Sequence, residues 1–325
     1  MHKRSLFSRI GSTLLISLVA LCASPSWAQE WPAKPIKIIV SFAPGGLTDL
    51  IARALQSKLQ EGFGQPVIIE NRPGAGGTLA EGVLAKSLPD GYTVLLSADS
   101  VPANPHLIPR LPYDTFKDLL PVSMLARIPL VLLVSNNVPV ITVKEFIQYA
   151  KTHDISYGSP GVGTSNHLHF ELFKDNTGLA VPHLAYKGGG PALTDLIGDH
   201  IQALLLSTTL AVPQATAGKV KALAVTSEKR LARLPNVPTF QEAGFPDFNP
   251  QQWTGLFVPS GTPPAIVARI REEFSRAVKS PDVIARLSEL NVEPVMSTQA
   301  DFTQYLQRET LVLSRVIKAR GITAQ

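Results

Sequence analysis

The sequence predicts an α/β protein of two doubly wound lobes with a central cleft. Three observations carry that prediction. Strand-like apolar runs alternate with amphipathic helical stretches from Ile36 to Ser227. Glycine-rich turns stand at the carboxyl ends of several runs, where open α/β sheets bind their ligands. A Pro-rich, polar connection, Asn236–Gln252, returns the chain to one more strand before an all-helical tail.

Residues 1–28 stand apart. His2, Lys3, Arg4 and Arg9 make a basic start, the apolar run "IGSTLLISLVAL" follows, and "SWA" ends in a small residue. That is the layout of a secretory signal peptide cleaved after about Ala28. The apolar run has 12 residues, whereas a bilayer-spanning helix needs roughly 20. The only cysteine, Cys22, lies in this leader and follows Leu21 rather than the small residue that precedes a lipid-modified cysteine. The mature chain is therefore expected to have no disulfide and no thiolate metal site, and to reside in a Gram-negative periplasm. The leader holds three of the 30 Lys and Arg and none of the 25 Asp and Glu, so the net charge of +5 falls to +2 without it. With no block of like charge, nucleic acid and anionic membrane are not expected partners.

The first series starts with the strand "IKIIVSF" (Ile36–Phe42), the turn "APGG" and the helix "LTDLIARALQSKLQEGFG". Leu50, Ala54, Leu55, Lys58 and Leu59 follow helical spacing, and Gly62 or Gly64 stops the helix. The strand "PVIIE", the turn "NRPGAGG", the helix "TLAEGVLAKSL" and the strand "YTVLLSA" complete a βαβαβ unit, hence a parallel sheet. The second series reads "PLVLLVS" as strand, "TVKEFIQYAKT" as helix, "ISYGS" as strand and "NHLHFELFKDNTG" as helix. It continues with the strand "VPHLAY", the turn "KGGGP", the helix "ALTDLIGD" and the strand "IQALLLS", and closes on "AVPQATAGK" and "VKALAVTS". "WTGLFVPS" is a further strand, and two long helical patterns, Pro264–Leu290 and Thr298–Arg320, end the chain. The expected division is signal peptide 1–28, lobe 1 from 29–128 plus 249–325, and lobe 2 from 129–248.

Three loops could carry chemistry. In "SFAPGGLTDLIAR", Pro44 fixes φ, Gly45 and Gly46 turn tightly, and Thr48 and Asp49 open a helix. The turn serves either as a plain helix cap or as a nest of amides for an anion. Asp49 would repel an anion unless it is itself a cap or meets an ammonium group. In "GSPGVGTS" (Gly158–Ser165), the two glycines and Ser165 have the spacing of a P-loop, but Thr164 occupies the lysine position. A triphosphate needs lysine and Mg²⁺. A single carboxylate needs only about two to four N–H or hydroxyl donors at a helix start. Ser159, Thr164 and Ser165 supply hydroxyls, and Gly161 and Gly163 expose amides, unless the segment is simply a capping turn. In "AYKGGGPALTDL", Tyr186 and Lys187 end a strand, and Lys187 is either a solvated surface lysine or a guide for anions. "SADS" (Ser97–Ser100) ends the third strand and adds hydroxyls, and Trp253 either walls the cleft or fills the core.

His167 and His169 stand two apart on a helix and do not share a face, so no metal site is expected from them. His167 could donate to a ligand, cap or pack, while His169 is assigned to the surface or to packing. No G-x-S-x-G elbow or cysteine nucleophile supports an enzyme.

In order along the chain, "WPAKPIKIIVSFAPGGLTDLIAR", "PVIIENRPGAGG", "LPDGYTVLL", "YGSPGVGTSNHLHFELF", "AYKGGGPALTDL", "LPNVPTFQEAGFPDF" and "GLFVPSGTP" resemble the tripartite tricarboxylate transporter substrate receptors, the Bug family. The resemblance covers nearly the whole mature chain. It implies a periplasmic binding protein of type II, a Venus flytrap, that binds small carboxylates, amino acids or related metabolites and delivers them to a membrane permease. It further implies that Phe42–Asp49 and Ser159–His167 cradle a ligand carboxylate, partly through water. Tyr186 and Lys187 match the family's Y-K-G turn. "HLAYKG" and "HLHFELF" depart from the usual forms, which puts His169 and Phe170 in play for packing near the cleft.

The expected protein is a monomeric, non-catalytic receptor without cofactor. Its expected ligand residues are Phe42, Gly45, Gly46, Thr48, Asp49, Ser97, Ser159, Gly163, Thr164, Ser165, His167, Tyr186 and Lys187. The rival readings are a sensor feeding a signalling partner and a secreted hydrolase using His167.

Overall fold

The computed structural model describes residues 31–323. The expected leader, with Cys22, lies outside the described residues. All the elements below belong to the compact unit Lys34–Gln325.

The chain opens with β1 (Ile36–Val40), α1 (Leu47–Phe63), β2 (Val67–Asn71), a short 3-10 turn (Ala75–Gly77), α2 (Thr78–Ala85) and β3 (Thr93–Ala98). β1 lies parallel between β2 and β3, with Ile38 opposite both Ile69 and Val94, as the βαβαβ pattern requires. Ile51, Leu55 and Leu59 bury one stripe of α1, and Gly64 ends the helix in the left-handed region, its N–H bonded to Gln60 O. Two short helices, α3 (Asn104–Leu107) and α4 (Thr115–Asp118), lead into β4 (Leu119–Val134).

The second series is α5 (Val143–Thr152), β5 (Tyr157–Ser159), α6 (Ser165–Thr177), β6 (His183–Ala185), α7 (Gly189–Ile197), β7 (Ala203–Ser207), α8 (Thr208–Thr216) and β8 (Lys221–Val225). β9 (Gln251–Pro259), α9 (Pro264–Val278), α10 (Pro281–Glu289), β10 (Glu293–Pro294) and α11 (Gln299–Arg320) follow.

β4 joins the two lobes. From Leu119 to Pro129 it pairs antiparallel with β9, which also pairs with β3 and so belongs to the first sheet. From Leu130 to Val134 it pairs with β7 and β8 of the second sheet. Leu130, Leu132 and Val134 enter one core with Phe146, Tyr157 and Phe173, while Val131 and Leu133 enter another with Leu196, Ile201 and Leu204. That split is the two-residue period of a strand buried on both faces.

The structure corrects two sequence expectations. The strand read at "PLVLLVS" begins ten residues earlier, at Leu119, and carries bulges beside Pro121 and Met124. The pattern Pro264–Leu290 is two helices, because Pro281 has no N–H to continue α9 and instead starts α10 behind the Ser280 N-cap. Among the described residues no helix is long and apolar enough to cross a membrane.

Candidate functional site

The carboxyl ends of β1, β3, β5 and β7 converge on one cavity of about 750 Å³. Such sheet ends, each followed by a turn or helix start, present backbone N–H groups that have no partner within the helix. Gly46, Leu47 and Thr48 bring the start of α1 to the cavity, and Thr164, Ser165 and Asn166 bring the start of α6. Gly189 and Ser207 do the same for α7 and α8. Leu47, Leu107, Ile108, Ile128, Val162, Leu206, Leu210 and Trp253 make the walls largely apolar. Among the described residues lining the cavity there is no Lys, Arg or His, and Asp99 is the one acid.

Six of the expected ligand residues line this cavity: Phe42, Gly46, Thr48, Gly163, Thr164 and Ser165. Gly45, Asp49, Ser97, Ser159, His167, Tyr186 and Lys187 do not, and for most of them the reason is a structural bond. Asp49 accepts hydrogen bonds from the Gly45 N–H and Arg53 Nε on one oxygen and from Asn71 Nδ2 on the other, each at 2.9 Å. Burial pushes its pKa up, but these bonds outweigh burial and hold it below the usual carboxylate range. The negative charge at the start of α1 is thus met within the protein, and Gly46 caps the helix without a side chain.

The loop after β5 folds onto itself in the same way. Ser159 Oγ contacts His183 Nε2 at 2.7 Å and accepts the Gly161 N–H at 3.2 Å. The Gly163 N–H donates to His167 Nδ1 at 3.0 Å. The two glycine amides expected to be exposed are therefore committed inside the loop. Thr164 is the N-cap of α6; its hydroxyl donates to Gly161 O at 2.8 Å and accepts from the His167 N–H. The amides left for a ligand are those of Ser165 and Asn166, in the first turn of α6. Gln252 Nε2 donates to Ser165 Oγ and Asn166 Oδ1, both at 3.1 Å, and ties the returning strand β9 to this helix start.

His167 is buried, and its ring stacks on His183 at 3.9 Å. Burial first, then the neighbouring His183, pushes its pKa down to about 4, so the ring is neutral. Tyr186 donates to Asp195 at 2.7 Å, with its hydroxyl pKa pushed up to about 12 by burial and by that acid. Lys187 is exposed on the turn. His169, assigned to surface or packing, is buried and meets Glu309 of α11 at 3.0 Å. Phe170 stacks face to face on Tyr157 at 3.8 Å. Trp253 fills both roles proposed for it, since it is 1% exposed in a core with Phe257 and Phe302 and also lines the cavity.

Several lining residues were not expected, among them Gly76, Asp99, Ser100, Asn104 and Gln252. Asn104 is held from behind by Glu81, a fully buried carboxyl that also accepts from Ser97 Oγ and Tyr113 Oη. The end of β3 explains part of this: Ser97, inside the strand, donates to the buried Glu81, whereas Asp99, one residue beyond the strand end, is released from the pleat and lines the cavity. Of "SADS", Ser97 bonds inward to Glu81, and Asp99 and Ser100 line the cavity.

Residues 51–322 match the tripartite tricarboxylate transporter family receptor model. BugT of Bordetella pertussis is 35% identical over 303 residues, which is 92% of this chain and 93% of BugT. An R. palustris protein solved with adipate is 32% identical and superposes with a TM-score of 0.76, covering 90% of this chain and 99% of that one. MatC from Rhodopseudomonas palustris, solved with malate, is 33% identical with a TM-score of 0.73, covering 88% of this chain and 100% of that one. The family consists of solute-binding receptors and not of enzymes, which sets aside the hydrolase reading of His167. The chain belongs to the tripartite tricarboxylate transporter family of receptors.

Proposed function

We propose that this receptor works in the periplasm, captures a small carboxylate-bearing metabolite in the cavity between its lobes, and delivers it as a monomer to an integral-membrane permease. The single observation that carries the binding reading is the convergence of helix starts on one largely apolar cavity that has no cationic side chain. Each helix N-terminus acts as roughly half a positive charge, and two or three such ends suit one carboxylate. The adipate and malate bound by the two R. palustris proteins fit that chemistry. Delivery to a permease is supported by the family to which the chain belongs.

The lobes are assigned as 29–128 plus 249–325 and 129–248. Support comes from β4, which changes partners between Pro129 and Leu130, and from β9, which rejoins the first sheet at Gln251. Hinge closure about these two strands would enclose the ligand and expel water. The carboxylate is held mainly by the first-turn amides of α1 and by the Thr48 hydroxyl, with α6 closing from the other lobe.

Calorimetric titration with a panel of small acids tests this. Thr48→Val keeps the shape of the side chain and removes the hydroxyl. It is expected to weaken the best acid about three- to tenfold, as loss of one hydrogen bond does, while the melting temperature of the free protein stays within about 2 °C. Unchanged affinity would remove Thr48 from the carboxylate site.

A further inference from the structure

The cavity has a polarity that the receptor reading alone does not use. Asp99 follows β3 and lines the cavity, and its Oδ2 is buried without a hydrogen-bond partner. A buried carboxylate is normally paired with a cation or satisfied by several donors. Burial outweighs what the surrounding groups supply: Ser165 and His169 favour the charge, and Glu309, which His169 meets at 3.0 Å, opposes it. The Ser165 hydroxyl gives the largest favourable interaction, so Asp99 leans on the start of α6 and uses part of the positive end of that helix. The start of α1 differs, because its own acid, Asp49, is bonded to Arg53, Asn71 and the Gly45 amide and lies off the cavity. The start of α1 is therefore open to an anion, while Asp99 puts a carboxyl group into the same cavity.

Resting on the receptor reading above, we infer that the ligand is a monocarboxylate with an apolar body, and that Asp99 is the specificity residue that rejects a second carboxylate. The ligand carboxylate lies at the start of α1. The body runs along the walls formed by Leu107, Ile128, Leu206, Leu210 and Trp253. A second carboxylate in the same cavity would meet Asp99 where no Lys, Arg or His is among the lining residues, and like charges in a poorly solvated cavity repel strongly. Burial raises the pKa of Asp99 to about 6, so near neutral pH the group is mostly ionised and the repulsion is present. In this respect the chain would part from its relatives solved with the dicarboxylates adipate and malate.

Matched acids test the inference: hexanoate against adipate and benzoate against terephthalate, titrated calorimetrically at pH 8 into the parent and into Asp99→Asn. The parent is expected to prefer the monocarboxylate of at least one pair by about tenfold or more, and Asp99→Asn to narrow that preference to about threefold or less. A parent that binds the dicarboxylate as tightly as its partner overturns the inference while leaving the carboxylate receptor intact, whatever the variant does. A preference that survives Asp99→Asn in a protein with a cooperative melt removes Asp99 as its cause. A parent that binds none of the four acids overturns the inference and counts against the carboxylate reading beneath it.

Discussion

Glu81 shows how one residue away from the cavity sets its lining. Its carboxyl is fully buried and is surrounded by donors: Tyr113 Oη, Ser97 Oγ at 3.3 Å and Asn104 Nδ2 at 3.3 Å. Burial drives its pKa up against the pull of those three bonds. Asn104, which lines the cavity, also donates to Gly76 O, so Glu81 fixes two neighbouring parts of the wall. Glu81→Ala would leave three buried donors unpartnered. It is expected to cost about 2–4 kcal/mol in denaturant unfolding and to weaken ligand binding as Asn104 loses its support, with Glu81→Gln costing less because one acceptor remains. A loss below about 0.5 kcal/mol for Glu81→Ala would show that the network is not structural. None of this was legible in the sequence. A lone Glu in "TLAEGVLAKSL" reads as a solvated helix residue, and its partners lie 16 to 32 positions away.

At the scale of elements, β5, its loop and α6 form one packed device. Tyr157, His167, Phe170 and His183 stack ring on ring beneath the loop, with Tyr157–Phe170 at 3.8 Å and His167–His183 at 3.9 Å. Both histidines have pKa values pushed down to about 4 by burial, against an ordinary 6.5. Between pH 6.5 and 4 the unfolded chain takes up protons that the folded pair refuses, so this pair withdraws stability as the pH falls through that window and contributes no pH dependence above it. Asp99 and Glu81, whose pKa values are raised, act in the opposite sense, so the effect is read as a difference between variant and parent. His183→Gln keeps a polar contact for Ser159 and removes one titration. Its melting temperature is expected to fall less than that of the parent between pH 6.5 and 4, and parallel curves would contradict the assignment.

The elements themselves were largely legible, because Gly64 and Gly178 stop helices as local rules say, and β1, β2 and β3 follow the βαβαβ order. β4 was not, because Pro121 and Pro129 interrupt its apolar run, and only the pairing with β9 shows that bulges accommodate the first of them. The turns that carry the cavity were legible as turns. Which of their donors stay free was not, since the bonds from Gly161 and Gly163 to Ser159 and His167 depend on how the loop closes.

At the scale of the whole molecule, the two lobes are linked by more than the shared strand. The first turns of α11 place Phe302 and Leu306 in one core with Trp253 of β9 and Leu95 of β3. Farther along, Leu313, Val316 and Ile317 pack with Leu168 of α6, and Arg320 Nε lies 3.1 Å from Glu171. The helix that presents Ser165 to the cavity is thus braced by α11, and its start and the start of α1 line the same cavity. The account rests on those helix starts recognising a negative carboxylate, rather than on the apolar walls alone. The most direct test takes the tightest-binding acid of the panel and compares it by calorimetry with its own carboxamide, which has the same shape and no charge. The account predicts that the amide binds about tenfold weaker or worse. Equal affinity for acid and amide would contradict it.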